Sequence, residues 1–274
     1  EPAWQGFDLN IAGGHRGALR SFFGPFDMPA LPAGSPDTEL PEALTEQACA
    51  FIAKQTRERP FFLYFSHYTV HLPLQAREAL VDKYRAKLAG KAFPDPVYAA
   101  MVESLDRSVA AVRRALDQAG LARDTVIVFF SDNGGLRYEG GQKRLVTTNA
   151  PFRAGKGHLY EGGIREPLYI HWPGVTQPGR LIDVPVSSID FFPTLLEMAG
   201  AQLPRPVDGA SLVSLLRGGP VPARDALFWH YPHYSNQGGA PGGAIRAGEW
   251  KLIEFYEDSR LELFNLHDDP GETR

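Results

Sequence analysis

The sequence contains very little cysteine, since Cys49 is the only one in 274 residues. A single thiol cannot form an intrachain disulfide, and it cannot build a metal site from cysteine ligands. Cys49 lies within a helical pattern of apolar residues, so we interpret it as a small core residue. The sequence also has no apolar run that approaches the roughly 20 residues of a membrane-spanning helix. These absences exclude a disulfide scaffold and predict no membrane span.

A strong excess of one charge is absent as well. The formal net charge is -4 and the isoelectric point is about 6.1, and neither value indicates binding to nucleic acid or to an anionic membrane. Hydrophobic residues make up 43% of the chain, which is enough for a sizeable core in one large domain or in a domain plus a small one. Because the chain begins at Glu1 and no signal peptide follows, we expect a processed chain or a fragment.

Two apolar runs predict the centre of the fold. Residues 125–130 are rich in β-branched and aromatic side chains, which predicts a strand buried on both faces, as in the parallel sheet of an α/β protein. Residues 61–66 predict a second such strand, and two helices are predicted between the runs. The order strand, helices, strand favours a right-handed crossover. The sequence therefore predicts an α/β fold with a mixed, largely parallel sheet flanked by helices.

The sequence pattern changes after residue 220. Short apolar segments alternate with turns there, which predicts an antiparallel meander. We therefore expect an α/β domain over residues 1–219 and a small C-terminal antiparallel α+β subdomain over residues 220–274. The first predicted helix begins near residue 38, and the other predicted helices cover 75–89, 96–120, 188–199 and 211–216. Further strands are predicted at 167–172, 226–230, 243–246, 251–255 and 261–266.

Asp132 and Asn133 directly follow the first apolar run and precede two glycines. In open α/β sheets, ligands bind outside the carboxyl ends of the strands, where these two residues are expected. Two hard oxygen ligands on one turn suit a cation such as Ca²⁺ or Mg²⁺. Asp, Asn and Gly also favour ordinary turns, so the pattern by itself leaves both interpretations open.

A histidine and a lysine are further candidate site residues. His71 comes just after the second apolar run, and Lys156 lies in a polar, glycine-rich loop over residues 136–166. A cation site beside a lysine and a histidine would suit the hydrolysis of an oxyanion ester, because the positive charges neutralise the non-bridging oxygens and the histidine protonates the leaving oxygen. Alternatively, His71 is a hydrogen-bonding loop residue and Lys156 is a solvated surface side chain.

Seven short segments form an ordered set over nearly the whole chain. They are 60–64 leading to His71-Leu72-Pro73, Ser131-Asp132-Asn133-Gly134-Gly135, Gly155-Lys156-Gly157, 160–165, Trp172-Pro173-Gly174, 190–196 and Asp269-Pro270-Gly271-Glu272. Each segment is a weak signal by itself, but the order in which they follow one another is specific. Together they resemble the type I, formylglycine-dependent sulfatases of the alkaline phosphatase superfamily.

The resemblance implies an alkaline-phosphatase-like fold and the hydrolysis of a sulfate ester to an alcohol and inorganic sulfate. It implies that Asp132 and Asn133 bind one divalent ion, Ca²⁺ more readily than Mg²⁺. It also implies that Lys156 and His71 are catalytic residues that contact the sulfate and the leaving oxygen. The expected substrate is a sulfated small molecule or glycan, and the expected location is periplasmic or secreted.

Two family features are absent from the sequence. The family's formylglycine nucleophile is made from a Cys/Ser-x-Pro/Ala-x-Arg motif, and Cys49 is followed by Ala50-Phe51-Ile52 instead. The family's first metal-binding aspartate pair is also missing. We therefore expect the α/β domain to be incomplete at its N-terminus, with the nucleophile and half of the metal site outside this sequence. By itself the chain is expected to be inactive and to bind Ca²⁺ weakly or not at all.

The segment 228–234 contains two further candidate residues, His230 and His233. They are candidates for contacts with the part of the substrate that does not carry the sulfate, or else they are surface residues at a strand end. Two other functions stay open at the level of the sequence. One is the hydrolysis of a phosphate or phosphonate ester by the same superfamily, and the other is a non-catalytic module that binds a sulfated glycan.

Overall fold

The computed structural model describes residues 2–91, 94–138, 145–221 and 224–274, and the statements that follow concern these residues. Their helices are α1 (Leu40–Ile52), α2 (Glu78–Lys87), α3 (Pro96–Gln118), α4 (Glu161–Ile164), α5 (Phe191–Met198) and α6 (Val213–Leu216). Their strands are β1 (Ile127–Phe130), β2 (Leu168–His171), β3 (Leu227–Tyr231), β4 (Gly242–Ala247), β5 (Trp250–Phe255) and β6 (Arg260–Asn265). The predicted α/β class is confirmed.

The chain forms two compact units. The first unit comprises residues 1–125 and 136–148, and the second comprises residues 126–135 and 149–274. All four strands from β3 to β6 follow residue 220, although the domain boundary at that residue stays a prediction. None of the described helices combines the length and the apolar character that a bilayer crossing requires.

The core of the first unit forms where α1 and α3 meet the N-terminal segment. Helix α3 begins sharply because Asp95 accepts hydrogen bonds from the amides of Val97 and Tyr98, and because Pro96 fits the first turn. Its buried Met101 belongs to the same apolar cluster as Leu40 of α1 and several N-terminal side chains. The three- and four-residue periodicity of this helix was sufficient to predict it.

Residues 61–66 correct one prediction. They belong to no helix or strand and have no ladder partner among the described residues, so the expected buried parallel strand is not formed. The exposed fraction is 60% for Phe62 and 72% for Tyr64, whereas their neighbours in the run are half-buried. An unbroken apolar run does not reveal whether one face or both faces are buried, and here one face is open.

The second unit contains a two-stranded and a four-stranded sheet. Strands β1 and β2 pair antiparallel, with Ile127 opposite His171, and β1 has no parallel partner among the described residues. Burial alternates along β1, with Val128 and Phe130 exposed, because only one face of the pair packs against protein. The predicted antiparallel meander is confirmed, with strand order β3-β4-β5-β6.

The inner face of the four-stranded sheet supports the glycine-rich loop. Ile253 and Phe255 of β5 and Phe264 of β6 are buried in one apolar cluster with Leu159 and Tyr160. The last two side chains lie in that loop, three and four residues after Lys156. The meander therefore anchors the chain on the C-terminal side of that loop.

Candidate active site

Asp132 and Asn133 lie on the turn that follows β1. The Asp132 side chain is exposed and the Asn133 side chain is half-buried, and Asn133 Nδ2 donates a hydrogen bond to Asp132 Oδ1 over 3.2 Å. Ser131 Oγ donates to the Asn133 carbonyl oxygen over 3.1 Å and fixes the turn from the other side. The turn thus presents a carboxylate and an amide side by side, both of which are oxygen donors for a hard cation.

The turn packs directly on the backbone of α4. The Gly134 amide donates a hydrogen bond to the Gly163 carbonyl oxygen over 3.1 Å. A Cβ atom at Gly134 would overlap the carbonyl group of Gly162, so a side chain does not fit here. The glycines of the sequence motif therefore allow two stretches of backbone to meet without a side chain between them.

Asn149 joins this turn to the lysine loop. Its Oδ1 accepts a hydrogen bond from the Gly135 amide over 2.9 Å, and its Nδ2 donates to the Gly135 and Ala154 carbonyl oxygens over 3.1 and 3.0 Å. The Lys156 amide also donates to the Gly135 carbonyl oxygen, over 3.3 Å. The structure therefore brings the Asp132–Asn133 turn and the backbone of Lys156 into one hydrogen-bonded scaffold.

Glu166 is a polar residue near Asp132 that sequence reasoning missed. Burial, together with the negative charge of Asp132, raises the pKa of the Glu166 carboxyl group to about 7. Its Oε1 atom is buried and has no hydrogen-bond partner among the described residues. Nothing in the local sequence marks this glutamate, because its burial follows from the way that the turn after β1 packs beside it.

The oxygen donors at the turn fit a divalent cation, since the set is hard and carries an uncompensated carboxyl oxygen at Glu166. Within the described ranges, no group of three or more His, Cys, Asp or Glu side chains is arranged to hold a metal ion. The residues present therefore supply part of a coordination sphere. Metal binding by Asp132 and Asn133 stays a prediction.

His71 belongs to the first unit, whereas Asp132, Asn133 and Lys156 belong to the second. The imidazole of His71 is half-buried, and its Nδ1 lies 3.0 Å from the Leu72 carbonyl oxygen. Because a carbonyl oxygen can only accept, this contact favours a proton on Nδ1 and leaves Nε2 for other partners. The expected meeting of His71 with the turn and the lysine loop stays a prediction.

His230 and His233 lie at the end of β3 and just beyond it, and both side chains are exposed. His230 Nδ1 lies 2.8 Å from the hydroxyl of Tyr256, and the His233 ring contacts the edge of Tyr231. The chain then folds back onto the loop that carries Lys156. A Cβ atom at Gly157 would overlap the Ser235 side chain, and a Cβ atom at Gly239 would overlap the Gly157 carbonyl group. The segment that carries His233 thus reaches the residue next to Lys156.

Comparisons with known proteins identify relatives over most of the chain. A family model described as Sulfatase matches residues 14–201, and one described as N-sulphoglucosamine sulphohydrolase, C-terminal, matches residues 154–274. A sulfatase from Formosa agariphila is 37% identical over 267 residues, which cover 89% of this chain and 47% of the relative. Steryl-sulfatase from Mus musculus is 37% identical over 196 residues, which cover 70% of this chain and 30% of the relative. The chain thus spans half or less of the length of these relatives.

Two solved structures are also similar. The crystal structure of Ps i-CgsB in complex with k-i-k-neocarrahexaose has a TM-score of 0.75 and 29% identity, and the match covers 88% of this chain and 51% of that chain. A structure in complex with its substrate D-Glucosamine-2-N, 6-O-disulfate has a TM-score of 0.51 and 27% identity, and the match covers 72% of this chain and 40% of that chain.

Proposed function

The chain belongs to the sulfatase family, and on that premise we propose that it forms the part of a sulfatase that carries the second metal-ligand pair and the catalytic lysine. The alkaline-phosphatase-like fold implied by the sequence is confirmed by the structural neighbours. One observation supports the proposal most strongly. Asn149 and the Lys156 amide both bind Gly135, so the expected metal turn and the expected lysine loop share one scaffold.

The reaction that we propose is the hydrolysis of a sulfate ester to an alcohol and inorganic sulfate. Asp132 and Asn133 would hold a divalent ion, Ca²⁺ in preference to Mg²⁺, which when bound would supply positive charge to offset the negative charge of the sulfate. The Lys156 ammonium neutralises a non-bridging oxygen and the leaving oxygen. His71, whose Nδ1 is held by the Leu72 carbonyl, moves a proton at Nε2. The nucleophile of this reaction would be a formylglycine, for which residues 1–274 contain no Cys/Ser-x-Pro/Ala-x-Arg motif.

For the substrate, we propose a sulfated glycan or a sulfated small molecule. The structural neighbours were solved with a neocarrahexaose and with a disulfated glucosamine, and steryl-sulfatases are among the relatives. His230 and His233 contact the part of the substrate that does not carry the sulfate, and this role is supported by the packing of the segment after His233 against Gly157. The proposed location is the periplasm or the cell exterior.

The test uses the full-length enzyme that contains this chain. Replacing Lys156 by Ala should lower kcat/KM for an aryl sulfate by about 100-fold or more, because the lysine acts on charge that develops in the transition state. Lys54→Ala is the matched control, since Lys54 is exposed and lies in the first unit. Activity of Lys156→Ala within about twofold of the wild type would exclude the proposed role of the lysine.

The same enzyme separates the other two functions. A higher kcat/KM for the matching aryl phosphate than for the aryl sulfate would favour phosphate-ester hydrolysis instead. Binding of a sulfated glycan that survives both Asp132→Ala and Lys156→Ala, without any hydrolysis by the wild type, would favour a non-catalytic binding module.

A further inference from the structure

Three charged side chains are buried together behind the lysine loop. Lys251 and Glu272 are fully buried and Glu161 is 2% exposed. Lys251 Nζ donates hydrogen bonds to Glu161 Oε1 over 3.0 Å and to Glu272 Oε1 over 2.8 Å. We call these three residues the buried ionic triad. Burying charges costs several kcal/mol per ion, and a well-packed apolar cluster often gives equal or greater stability. Stability alone is therefore a poor explanation for the triad.

The triad holds both ends of residues 153–161, the part of the loop that carries Lys156. Glu272 Oε2 accepts a hydrogen bond from the Glu161 amide at the start of α4, over 2.6 Å. The carbonyl oxygen of the same residue accepts from Arg153 Nη1 at the other end of the loop, over 2.9 Å. Glu272 makes these contacts with a backbone φ of 52°, a left-handed conformation that is uncommon for residues other than glycine, Asn and Asp.

The position of α4 in turn fixes the Asp132–Asn133 turn. Gly134 donates to the Gly163 carbonyl oxygen, and its Cα lies against the Gly162 carbonyl with no room for a side chain. Backbone that is packed on backbone transmits a displacement, because no flexible side chain between the two stretches can absorb it. A shift of Glu161 therefore moves the turn that follows β1.

Two arginine side chains lie at the edge of the triad. Glu161 Oε2 lies 3.7 Å from Arg165 Nη1 and 3.8 Å from Arg246 Nη1, and it is buried without a hydrogen bond among the described residues. When both glutamates are ionised, the triad carries one net negative charge, which these arginines offset, while burial raises the pKa of the Glu272 carboxyl group. The triad and its arginines thus connect α4, β4, β5 and the C-terminal turn.

We propose that Lys251, Glu161 and Glu272 are positioning residues that set the distance between Lys156 and the Asp132–Asn133 pair. The catalytic meaning of that distance rests on the proposed function, whereas the mechanical coupling does not. The triad lies behind the loop and acts through it, so none of its members needs to touch the substrate.

The decisive variant is Glu272→Asp, which keeps the charge and shortens the side chain by one methylene. In this variant, the amides of Gly134 and Lys156 should lose hydrogen-exchange protection by about tenfold or more and shift their NMR resonances, because both depend on the placement of the loop. The amide of Ile253, in the interior of β5, should keep its protection. Glu254→Asp makes the same change on the exposed side of β5 and should leave all three amides unchanged.

Arg153→Ala is the second variant, since the Arg153 side chain is partly exposed and its removal leaves no unpaired buried charge. It should lower the protection of the Lys156 amide by about threefold or more. Equal loss at Ile253, Gly134 and Lys156 in Glu272→Asp would show that the triad only stabilises the fold, and this would overturn the proposal. Unchanged protection of the Lys156 amide in Arg153→Ala would overturn it as well.

Kinetics separate this inference from the proposed function. In the full-length enzyme, Glu272→Asp should lower kcat by about tenfold and change KM little, because a misplaced lysine loses contact mainly with the transition state. If Lys156→Ala retains sulfatase activity, the proposed function fails while the exchange result still stands. If Lys156→Ala is inactive but the Gly134 and Lys156 amides are unaffected in Glu272→Asp, only the positioning role fails.

Discussion

Thr45, Ser108 and His67 form a neutral hydrogen-bonded chain inside the first unit, whereas Lys251, Glu161 and Glu272 form the buried ionic triad of the second unit. In the first unit, Thr45 Oγ1 lies 2.5 Å from Ser108 Oγ, which lies 2.9 Å from His67 Nε2. Burying neutral groups that are hydrogen-bonded costs little, and each bond adds roughly 1 kcal/mol. Burying charges is costly and is tolerated where geometry matters. The comparison indicates that this neutral chain contributes stability, whereas the ionic triad fixes position.

The largest expected effect comes from placing a side chain between the turn and α4. Gly134→Ala should destabilise the protein by about 3 kcal/mol or more, because the new methyl group would overlap the rigid backbone of Gly162. The control is Gly14→Ala, at a position where a Cβ meets nothing within 4 Å. Urea unfolding of both variants measures the difference. A decrease in the free energy of unfolding below about 1 kcal/mol in Gly134→Ala would show that the two backbone stretches separate easily. The contact of Gly134 with Gly162 would then not fix the turn to α4.

The neutral chain of the first unit predicts an acid-sensitive region. Burial lowers the pKa of His67 from 6.5 to about 4. This histidine is protonated in the unfolded chain below pH 6.5 but stays neutral in the folded protein down to about pH 4. Its contribution is therefore fully present above pH 6.5 and is lost as the pH falls toward 4, by roughly 3 kcal/mol.

Urea unfolding of the wild type and of His67→Gln at pH 7 and pH 4.5 measures this contribution. The wild type should lose more stability between these values than the variant, while carboxyl groups such as Glu103, whose pKa is lowered to about 2 mainly by its hydrogen bond from Lys83, contribute equally to both. Parallel pH profiles would rule out a neutral buried His67.

Asn149→Ala should remove the link between the turn and the lysine loop. Three hydrogen bonds are lost, to Gly135 twice and to Ala154 once, and the expected destabilisation is about 2 kcal/mol. Asn236→Ala, in an exposed turn, is the control. If the comparison of the units is correct, hydrogen exchange at the Lys156 amide accelerates more in Asn149→Ala than global unfolding requires. Exchange that follows global stability alone would count against a separate scaffold.

Periodicity and turn chemistry predicted most of the secondary structure. Helix α3 and the β3–β6 meander were predicted because a repeated apolar pattern and turn residues determine them locally. Residues 61–66 and β1 were predicted as doubly buried strands, because a short apolar run does not show which of its faces are covered. Glu166 and Lys251 received no role from the sequence, since each depends on partners that the fold brings from distant segments.

The smallest expected effect has the opposite pH dependence from that of His67. Burial, aided by the charge of Asp132, raises the pKa of Glu166 from 4.5 to about 7. A carboxyl group with a raised pKa in the folded state contributes stability below pH 4.5, and that contribution is lost as the pH rises through 7. Glu166→Gln does not titrate and therefore does not lose this stability. Between pH 4.5 and pH 8, its free energy of unfolding should rise by about 1 kcal/mol relative to the wild type, after allowance for solvent screening at this half-buried group.

Urea unfolding at the two pH values measures this gain, and Glu197→Gln, at an exposed position in α5, serves as the control. Opposite pH dependences of the stability contributed by His67 and by Glu166 would sharpen the comparison. The buried neutral imidazole stabilises the folded protein at high pH, whereas the carboxyl group near Asp132 does so at low pH. A Glu166→Gln variant that is less stable than the wild type at pH 8 would mean that the carboxylate is compensated by a positive charge, and the turn after β1 would then be better prepared for an anion than for a cation.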